Sequence, residues 1–434
     1  MSYSDIVGLV MLVIGIMTAI FPLEYVIVCL CGVFCKRKKF PEAKEKLRYG
    51  VIICARNEEK VIGNLIQSVK KSNYPQNKIE TFVIAHNCTD DTAEIARANG
   101  AVVYEYSNSA EKTKGYALKQ IFKCIERDYG IASFDGYHVF DADNILDNQY
   151  LTKMNDAFLY YDRKNAITSF RNAKNFGENV QTAMYGLLYV AGCTLESEGR
   201  MALNCSARIL GSGFLVSSEM VKDGWNIVNL SDDTDFTAEQ IILGKRVMYC
   251  GEAMYYDEHP TTFKAMWRQR LRWAKGTLIV CKKRIKDLFG KFFRPRNGVD
   301  QRGIKLSCFD LIGCILPIGA ISVLILAIHL LLLALSPLFA DYTSDIWKGW
   351  ATLFDISTLI GFCGMNLCGI VCYVKEKRIR EVSVGRKILS VLLFPLFGIL
   401  IVPLQIAAIF TKKFEWTQIV HSNESNFETF NKGS

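Results

Sequence analysis

The sequence predicts an α/β domain carried between apolar segments of membrane length. Three observations lead there. Between about residues 49 and 143, short β-rich apolar runs alternate with segments of helical periodicity, the pattern of strand–helix–strand units in a doubly wound sheet. Three of the strand-type runs end in polar clusters, Arg56-Asn57-Glu58, His86-Asn87 and Asp141-Ala142-Asp143. Four long apolar blocks flank the whole, Ile6–Phe34 ahead of it and Leu311–Leu335, Trp350–Val374 and Ile388–Thr411 behind it. Each block reaches the roughly 20 residues that span a hydrocarbon core.

The first block opens with Ser2, Tyr3, Ser4 and Asp5, has no basic stretch before it and is too long for a cleaved leader, so it reads as a retained anchor. Lys36, Arg37, Lys38 and Lys39 follow at once. Further basic clusters stand at 282–305 and at Lys375, Lys377, Arg378, Arg380, Arg386 and Lys387. With four spans, all three clusters fall on one side, and the positive-inside rule makes that side, with the large polar stretch, cytoplasmic. The net charge of +9 is thus mostly juxtamembrane and suits an anionic lipid surface, not nucleic acid. Lys412 and Lys413 then sit on the opposite side, unless the last block, broken by Pro395 and Pro403, is re-entrant or interfacial. The 15 cysteines show no zinc-like spacing and read as reduced, mostly buried thiols.

The resulting division is an anchor at 1–35, a soluble domain at 36–260, an amphipathic region at 261–303, a membrane region of about three spans at 304–411 and a polar tail at 412–434 without an assigned role. Within the soluble domain, Tyr49–Cys54 reads as the first strand, Asn57 as a helix N-cap, and Val61, Ile62, Leu65, Ile66 and Val69 as one helical face. Ile79–Ala85 is the second strand and Asp90–Asn99 the next helix, stopped by Gly100. Ala101–Tyr104, the helix Lys112–Asp128 and the strand Gly136–Phe140 complete the regular part. Beyond it, Ala166–Phe170 suits a strand, Asn179–Gly192 a helix, and Leu210–Val216 a Gly-rich turn running into a strand. Phe263, Trp267, Leu271, Ala274, Leu278 and Cys281 form one stripe of a basic amphipathic helix, which can lie on a membrane. A membrane role alone does not explain why Gln269, Arg272 and Trp273 share a face.

Ligands of open α/β sheets bind beyond the carboxyl ends of the strands, where the three polar clusters converge. Asp141 and Asp143, two residues apart on an extended segment, aim the same way and suit a hard divalent cation such as Mg²⁺ or Mn²⁺ shared with phosphates. No G-x-G-x-x-G follows the first strand, which disfavours a dinucleotide cofactor. Three acids in four residues, Asp232, Asp233 and Asp235, need a cation, a proton or solvent to coexist. An Arg and a Trp on one helical face can pair with phosphate and stack.

Taken in order, A-R-N-E-E at Ala55–Glu59, N-C-T-D-D-T at Asn87–Thr92, K-T-K-G-Y-A-L at Lys112–Leu118, D-A-D at Asp141–Asp143, G-S-G-F at Gly211–Phe214, S-D-D-T-D at Ser231–Asp235 and Q-R-L-R-W at Gln269–Trp273 resemble the membrane-embedded inverting family 2 glycosyltransferases. That group includes the cellulose, chitin, hyaluronan and poly-N-acetylglucosamine synthases. The resemblance covers roughly Val51–Gly276 and implies a GT-A nucleotide-sugar fold inserted between transmembrane helices. It implies that Ala55, Asn57, Glu58, His86, Asn87, Lys114, Asp141 and Asp143 serve a UDP-sugar donor, with Asp143 and Asp141 at a Mg²⁺ or Mn²⁺ ion. Asp233 corresponds to the general base, and Gly213, Phe214, Asp232, Gln269, Arg272 and Trp273 to the diphosphate and acceptor side. The chain departs from the family pattern at Asp232, usually Glu, and at His86, commonly Asp.

The implied function is transfer of a sugar to a growing polysaccharide or to a membrane acceptor. A processive synthase needs a channel, and four spans are few for one, which calls for a homo-oligomer or a partner subunit. A non-processive transferase acting on a lipid-linked acceptor needs neither. A transporter with a cytoplasmic nucleotide-binding domain fits poorly, since Glu24, Asp355 and His329 are the main ionisable groups in the apolar blocks.

Overall fold

The computed structural model describes residues 3–294, 300–335, 344–380, 382–412 and 425–431. Its core is an eight-stranded mixed sheet in the order β3-β2-β1-β4-β7-β6-β8-β5. The strands are β1 (Tyr49–Ala55), β2 (Ile79–His86), β3 (Val102–Tyr106), β4 (Gly136–Asp141), β5 (Ile145–Leu146), β6 (Ile167–Ala173), β7 (Phe214–Ser217) and β8 (Met248–Asp257). β1 lies parallel between β2 and β4, Tyr49 pairing with Ile79 on one side and Gly136 on the other.

Because β1 is covered on both faces, it reads as a continuous apolar run and not as an alternation. On one face Ile52, Phe82, Ile84 and Val139 pack with Leu118, Ile121, Phe122 and Ile125 of α4 (Lys114–Asp128). On the other, Val51, Ile53, Val83 and Phe140 pack with Ile62, Leu65, Ile66 and Val69 of α2 (Ile62–Lys70) and with α5 (Tyr150–Tyr160). α3 (Thr92–Ala98) joins β2 to β3.

A purely parallel sheet is corrected at β7, which runs antiparallel to both β4 and β6. The chain enters β7 through Gly211 and Gly213, both at positive φ, and a Cβ on Gly213 would stand 2.0 Å from the Tyr255 ring. That turn admits only glycine and delivers the strand from the opposite end of the sheet.

α6 (Val180–Ala191), a π-helical turn (Gly192–Ser197) and α7 (Glu198–Ala202) form one run that carries the apolar N-terminal helix α1 (Tyr3–Phe34). The two approach closely: a Cβ on Gly32 would lie 1.9 Å from the Leu195 carbonyl oxygen, and one on Gly199 2.0 Å from that of Val28. Small residues at such crossings let helix backbones meet.

α8 (Asp232–Ile242) and α10 (Gln301–Ile315) flank the long helix α9 (Phe263–Phe293). The apolar stripe of α9 is covered by protein: Trp267, Leu271, Ala274 and Leu278 pack on Leu404 and Ala408. Phe263 stays exposed and Cys281 joins a separate cluster with α8 and α10. Leu404 and Ala408 belong to α14 (Ile401–Phe410), which follows α13 (Val384–Ile399). Arg270 donates to the Phe397 carbonyl at 2.8 Å and Lys275 to that of Ala408 at 3.0 Å.

The expected four spans are also corrected. Among the described residues, one helical stretch, Val384–Phe410, is long and apolar enough to cross a membrane. A second candidate is α10 with the start of α11 (Ile318–Leu335), bent by 63° at the break. In α1 and α12 (Ser344–Lys375), the apolar helices found by the same measure are shorter, Ile20–Phe34 and Leu359–Lys375.

The tail is not featureless. α15 (Phe427–Phe430) packs on the soluble domain, with Phe430 stacked on Tyr256 at 4.2 Å and Lys71 paired with Glu428. Asn431 accepts from the Asn148 amide at 2.8 Å. Arg296, Lys413 and the remainder of the tail lie outside the described residues. All 15 cysteines are free thiols.

Candidate active site

The carboxyl ends of β1, β2 and β4 open onto a cavity of about 500 Å³, closed on its far side by α6, α8, α9 and α10. Ala55, Glu58, His86, Lys114, Asp141, Asp143, Asp232, Asp233, Gln269, Arg272 and Trp273 all line it. Segments more than 200 residues apart in the chain therefore meet in one space.

At the end of β4, Asn144 sets the D-A-D turn. Its carbonyl oxygen accepts from the Asp141 amide at 3.2 Å, and its amide nitrogen donates to Asp257 at 2.6 Å and to Asp143 at 3.3 Å. Asp257 is held in turn by Arg171, whose Nε lies 3.1 Å away and whose Nη2 also contacts it. The Arg171 guanidinium lies 3.8 Å over the Tyr189 ring. The paired carboxylates thus rest on a buried ion pair supplied by β6 and β8.

Lys114, at the start of α4, donates to Asp141 at 2.6 Å and to the Gly211 carbonyl at 3.1 Å. Burial works against its charge, but Asp141 more than compensates and holds its pKa above the ordinary lysine value. The cation is thereby fixed beside the D-A-D turn.

Asp232 and Asp233 occupy the first turn of α8, where helix-terminal amides favour negative charge. Both are half-buried and face the cavity. Burial, together with the carboxylates of Asp233 and Asp141, pushes Asp232 up to about 7 against the pull of Lys114. Burial also raises Asp233, opposed by the Thr234 amide, Lys114 and Arg272. Adjacent carboxyls in such surroundings hold one proton between them near neutral pH. Asp235 differs: it is fully buried and bound by Lys283 at 2.7 Å and Arg284 at 2.5 Å, tying α8 to α9.

On α9, Gln269 accepts from the Tyr185 hydroxyl at 2.9 Å, and Trp273 stands edge-on to Tyr185 and Tyr189. Arg272 makes no hydrogen bond or ion pair with another described residue and faces the cavity.

His86 donates from Nε2 to the Glu111 carbonyl at 2.8 Å and stacks on Tyr106. Burial and the neighbouring Arg56 lower its pKa, so it presents a neutral imidazole. Four proposed site residues do not line the cavity. Asn57 and Asn87 take left-handed φ values of 52° and 55° and use their side chains to shape the strand-end turns. Asn57 accepts from the Thr89 amide at 2.8 Å, and Asn87 from the Asn108 amide at 2.7 Å. Asn57 is therefore not the cap of α2, which starts at Ile62 after Val61. Gly213 shapes the turn into β7, and Phe214 is buried among Trp225 and Phe236.

Three further groups belong to the site's surroundings. Arg171 and Asp257 carry the D-A-D turn, and Lys174 places a buried Nζ without a hydrogen-bond partner among the described residues. Asp257-Glu258-His259 stands as a polar run in the sequence, but only the pairing of β8 with β5, which follows Asn144, brings it beside Asp143. The donor set suits a hard divalent ion. Asp143 accepts from Asn144 at 3.3 Å and from the Glu258 amide at 3.4 Å, and it lines the cavity together with Asp141. Among the described residues no cluster of three His, Cys, Asp or Glu side chains is placed to hold a metal, so a diphosphate and water would complete its shell.

Residues 47–276 match the family described as "Glycosyltransferase like family 2", and the chain belongs to that family. It is 24% identical over 248 residues to the probable glycosyltransferase YdaM of Bacillus subtilis (strain 168), covering 57% of this chain and 59% of that protein. It is 28% identical over 292 residues to the β-monoglucosyldiacylglycerol synthase of Nostoc sp. (strain PCC 7120), covering 64% and 58%. The matches thus span less than two thirds of either relative. Among solved structures, the mannosyltransferase PcManGT of Pyrobaculum calidifontis, in complex with GDP-Man and Mn²⁺, superposes with a TM-score of 0.54 at 14% identity, covering 93% of this chain and 98% of that one. The α/β fold is of the GT-A type, and the chain is a family 2 glycosyltransferase by membership.

Proposed function

We propose that the protein transfers a hexose with inversion from a UDP-sugar to an acceptor hydroxyl held at a membrane, with Asp233 as the general base. The observation that carries this reading is the gathering of Asp141, Asp143, Lys114, Arg272 and Asp233 around one cavity. Breaking a sugar–diphosphate bond builds negative charge on the leaving group, and Lys114 and Arg272 are placed to meet it. Asp141 and Asp143 would hold Mg²⁺ or Mn²⁺, which supplies Lewis-acid stabilisation of the diphosphate. The attacking hydroxyl needs a base to take its proton, and Asp233, raised toward neutrality by burial, suits that task. Trp273 and Gln269, braced by Tyr185 and Tyr189, shape the acceptor side. His86 gives the donor base a neutral hydrogen-bonding neighbour in place of a carboxylate.

The enzyme is integral to the membrane with its catalytic domain cytoplasmic, a reading that the basic clusters support. The docked segment 425–431 lies on the catalytic side, so the chain between α9 and α15 crosses the bilayer an even number of times. The diacylglycerol in the Nostoc relative's name supports a lipid acceptor over a polysaccharide end.

The test is nucleotide release from a panel of UDP-sugars and GDP-mannose by the purified full chain, with Mn²⁺, Mg²⁺ or EDTA. Metal-dependent release from one donor is expected. It falls by about 10²- to 10⁴-fold in Asp233→Asn while UDP binding persists. Release unchanged in Asp233→Asn, or no release from any donor, overturns the reading.

A further inference from the structure

The cavity does not stop at Asp233. The same cavity is also lined by Tyr189, Gly192 and Thr277 and by a compartment formed of Leu311, Cys314 and Ile315 of α10 with Glu196 and Arg208. None of these groups is needed to hold a nucleotide sugar. We infer that this compartment seats the acceptor, and that the acceptor is an uncharged lipid alcohol whose polar head lies at Glu196 and Arg208 while its chain leaves over Leu311 and Ile315. The inference rests on the transfer reaction proposed above and names its acceptor class.

Four features of the compartment argue for such an occupant. Glu196 projects from the π-helical turn, a feature that recurs at functional sites, and is held by Arg200 at 2.9 Å, by Arg208 and by the Tyr25 hydroxyl of α1 at 2.9 Å. The apolar N-terminal helix, docked through Gly32 and Gly199, thus supports one wall residue of the cavity through Tyr25. Arg208 leaves its Nε without a partner among the described residues, so the wall retains unspent donor capacity. The apolar floor leads straight to the membrane-facing elements: α10 ends at Ile315, the chain bends by 63°, and Val323, Leu324, Leu326 and Ile328 of α11 are exposed. An acceptor lying with its head in the cavity has an apolar path outward.

The charges exclude a phosphate head. Arg200 is neutralised by Asp310 at 2.9 Å and shares Glu196 with Arg208, and Glu24 stands beside Asp310. Two cations against the carboxylates of Glu196 and Asp310 leave no surplus positive charge, and the Asp232–Asp233 pair adds negative charge at the inner end. A buried anion there would go uncompensated. An oligosaccharide would need aromatic faces and hydroxyl-binding side chains along the floor, where the structure offers Leu, Cys and Ile. The ester oxygens of an uncharged lipid head can accept from Arg208 without adding charge, which leaves its hydroxyl to Asp233.

The transfer balances with no redox partner. The lipid hydroxyl oxygen bonds to the anomeric carbon, its proton passes to Asp233, and the bond from that carbon to the diphosphate breaks, its electron pair leaving with the nucleoside diphosphate.

The experiment uses the full chain in lipid nanodiscs with the donor identified by the release assay. Dioleoylglycerol, undecaprenyl phosphate and a soluble N-acetylglucosamine tetramer are offered separately, and glycosylated product is measured by mass spectrometry. Transfer to dioleoylglycerol is expected. It falls by about tenfold or more in Arg208→Met and in Cys314→Trp, which fills the floor, while UDP binding and slow donor hydrolysis without acceptor are unchanged. Leu311→Phe narrows the same floor more gently and is expected to raise KM for dioleoylglycerol. Transfer to the tetramer or to undecaprenyl phosphate alone, or full transfer to dioleoylglycerol in Cys314→Trp, overturns the inference and leaves the transferase standing. Absence of any donor turnover overturns the transfer reaction, and the inference with it.

Discussion

The Arg171–Asp257 pair offers a perturbation whose size follows from the geometry. Its side chains are 9% and 4% exposed, and Arg171 also donates to the Leu210 carbonyl at 2.7 Å. At a separation near 3 Å and an effective dielectric of about 20, the attraction is about 5 kcal/mol, and burial of both charges consumes much of it. Removing one partner leaves the other charge buried alone, which costs about 3–5 kcal/mol. For a domain of this size that lowers Tm by roughly 6–20 °C. Asp257→Ala has a second consequence: Asn144 loses its 2.6 Å bond, and the D-A-D turn loses its anchor. The double variant Arg171→Met/Asp257→Leu removes both charges and is expected to regain most of the lost stability, because an apolar pair of similar volume replaces a buried ion pair at little cost. It does not regain donor affinity. Differential scanning fluorimetry and UDP titration on the single and double variants separate the two effects. If either single variant melts within about 1 kcal/mol of wild type, or if the double variant is as unstable as the two losses summed, the pair does not carry the turn as argued.

The carboxyl pair on α8 makes activity and stability move oppositely with pH. Its raised pKa means the folded chain holds a proton more tightly than the unfolded chain. That stabilisation is full below about pH 4 and is lost as pH rises through about 7, so Tm declines across this window. Donor turnover rises with pH instead, as Asp233, its pKa raised by burial, becomes available as a base. Asp232→Asn removes the neighbouring charge and moves the activity limb to lower pH, which a kcat/KM profile reads directly. Gly199→Ile forces a side chain into the Val28 carbonyl and is expected to cost about 1–3 kcal/mol and loosen α1, measured as faster proteolysis after Phe34. Phe430→Ala removes the stack on Tyr256 and is expected to free the tail, measured as faster tryptic cleavage at Lys412, with donor binding unchanged.

The parts legible in the sequence were those with local signals. β1, β2 and β4 announce themselves as short apolar runs, and the polar clusters at their ends need only the rule that ligands bind there. Asp141, Asp143, Asp232 and Asp233 are conspicuous as clustered acids, and Gln269, Arg272 and Trp273 as a face of one helix. Local reading also misplaced some residues. Asn57 and Asn87 resemble a cap and a ligand because Asn serves in both, yet their backbone puts them in left-handed turns. Gly213 and Phe214 belong to a glycine-rich turn whose Leu210 and Gly211 line the cavity, but Gly213 itself admits Tyr255 and Phe214 starts the reversed strand, so neither faces the site.

What escaped the sequence depends on pairings between distant segments. Arg171 and Asp257 are 86 residues apart and meet only because β6 and β8 are parallel neighbours. The apolar blocks mislead for a different reason: hydropathy reports removal from water, and lipid and protein interior remove a side chain equally well. The block beginning at Leu311 is the clearest instance. Leu311, Ile312 and Ile315 are buried against α8 and α9, and the helix breaks at Leu316-Pro317 before its lipid-facing portion starts. Leu404 and Ala408 likewise spend their burial on α9. Among the described residues, these segments serve as walls of the catalytic domain. The same fact puts an apolar floor within the reach of Asp233, and a chain whose apolar helices only crossed the bilayer would have no such floor.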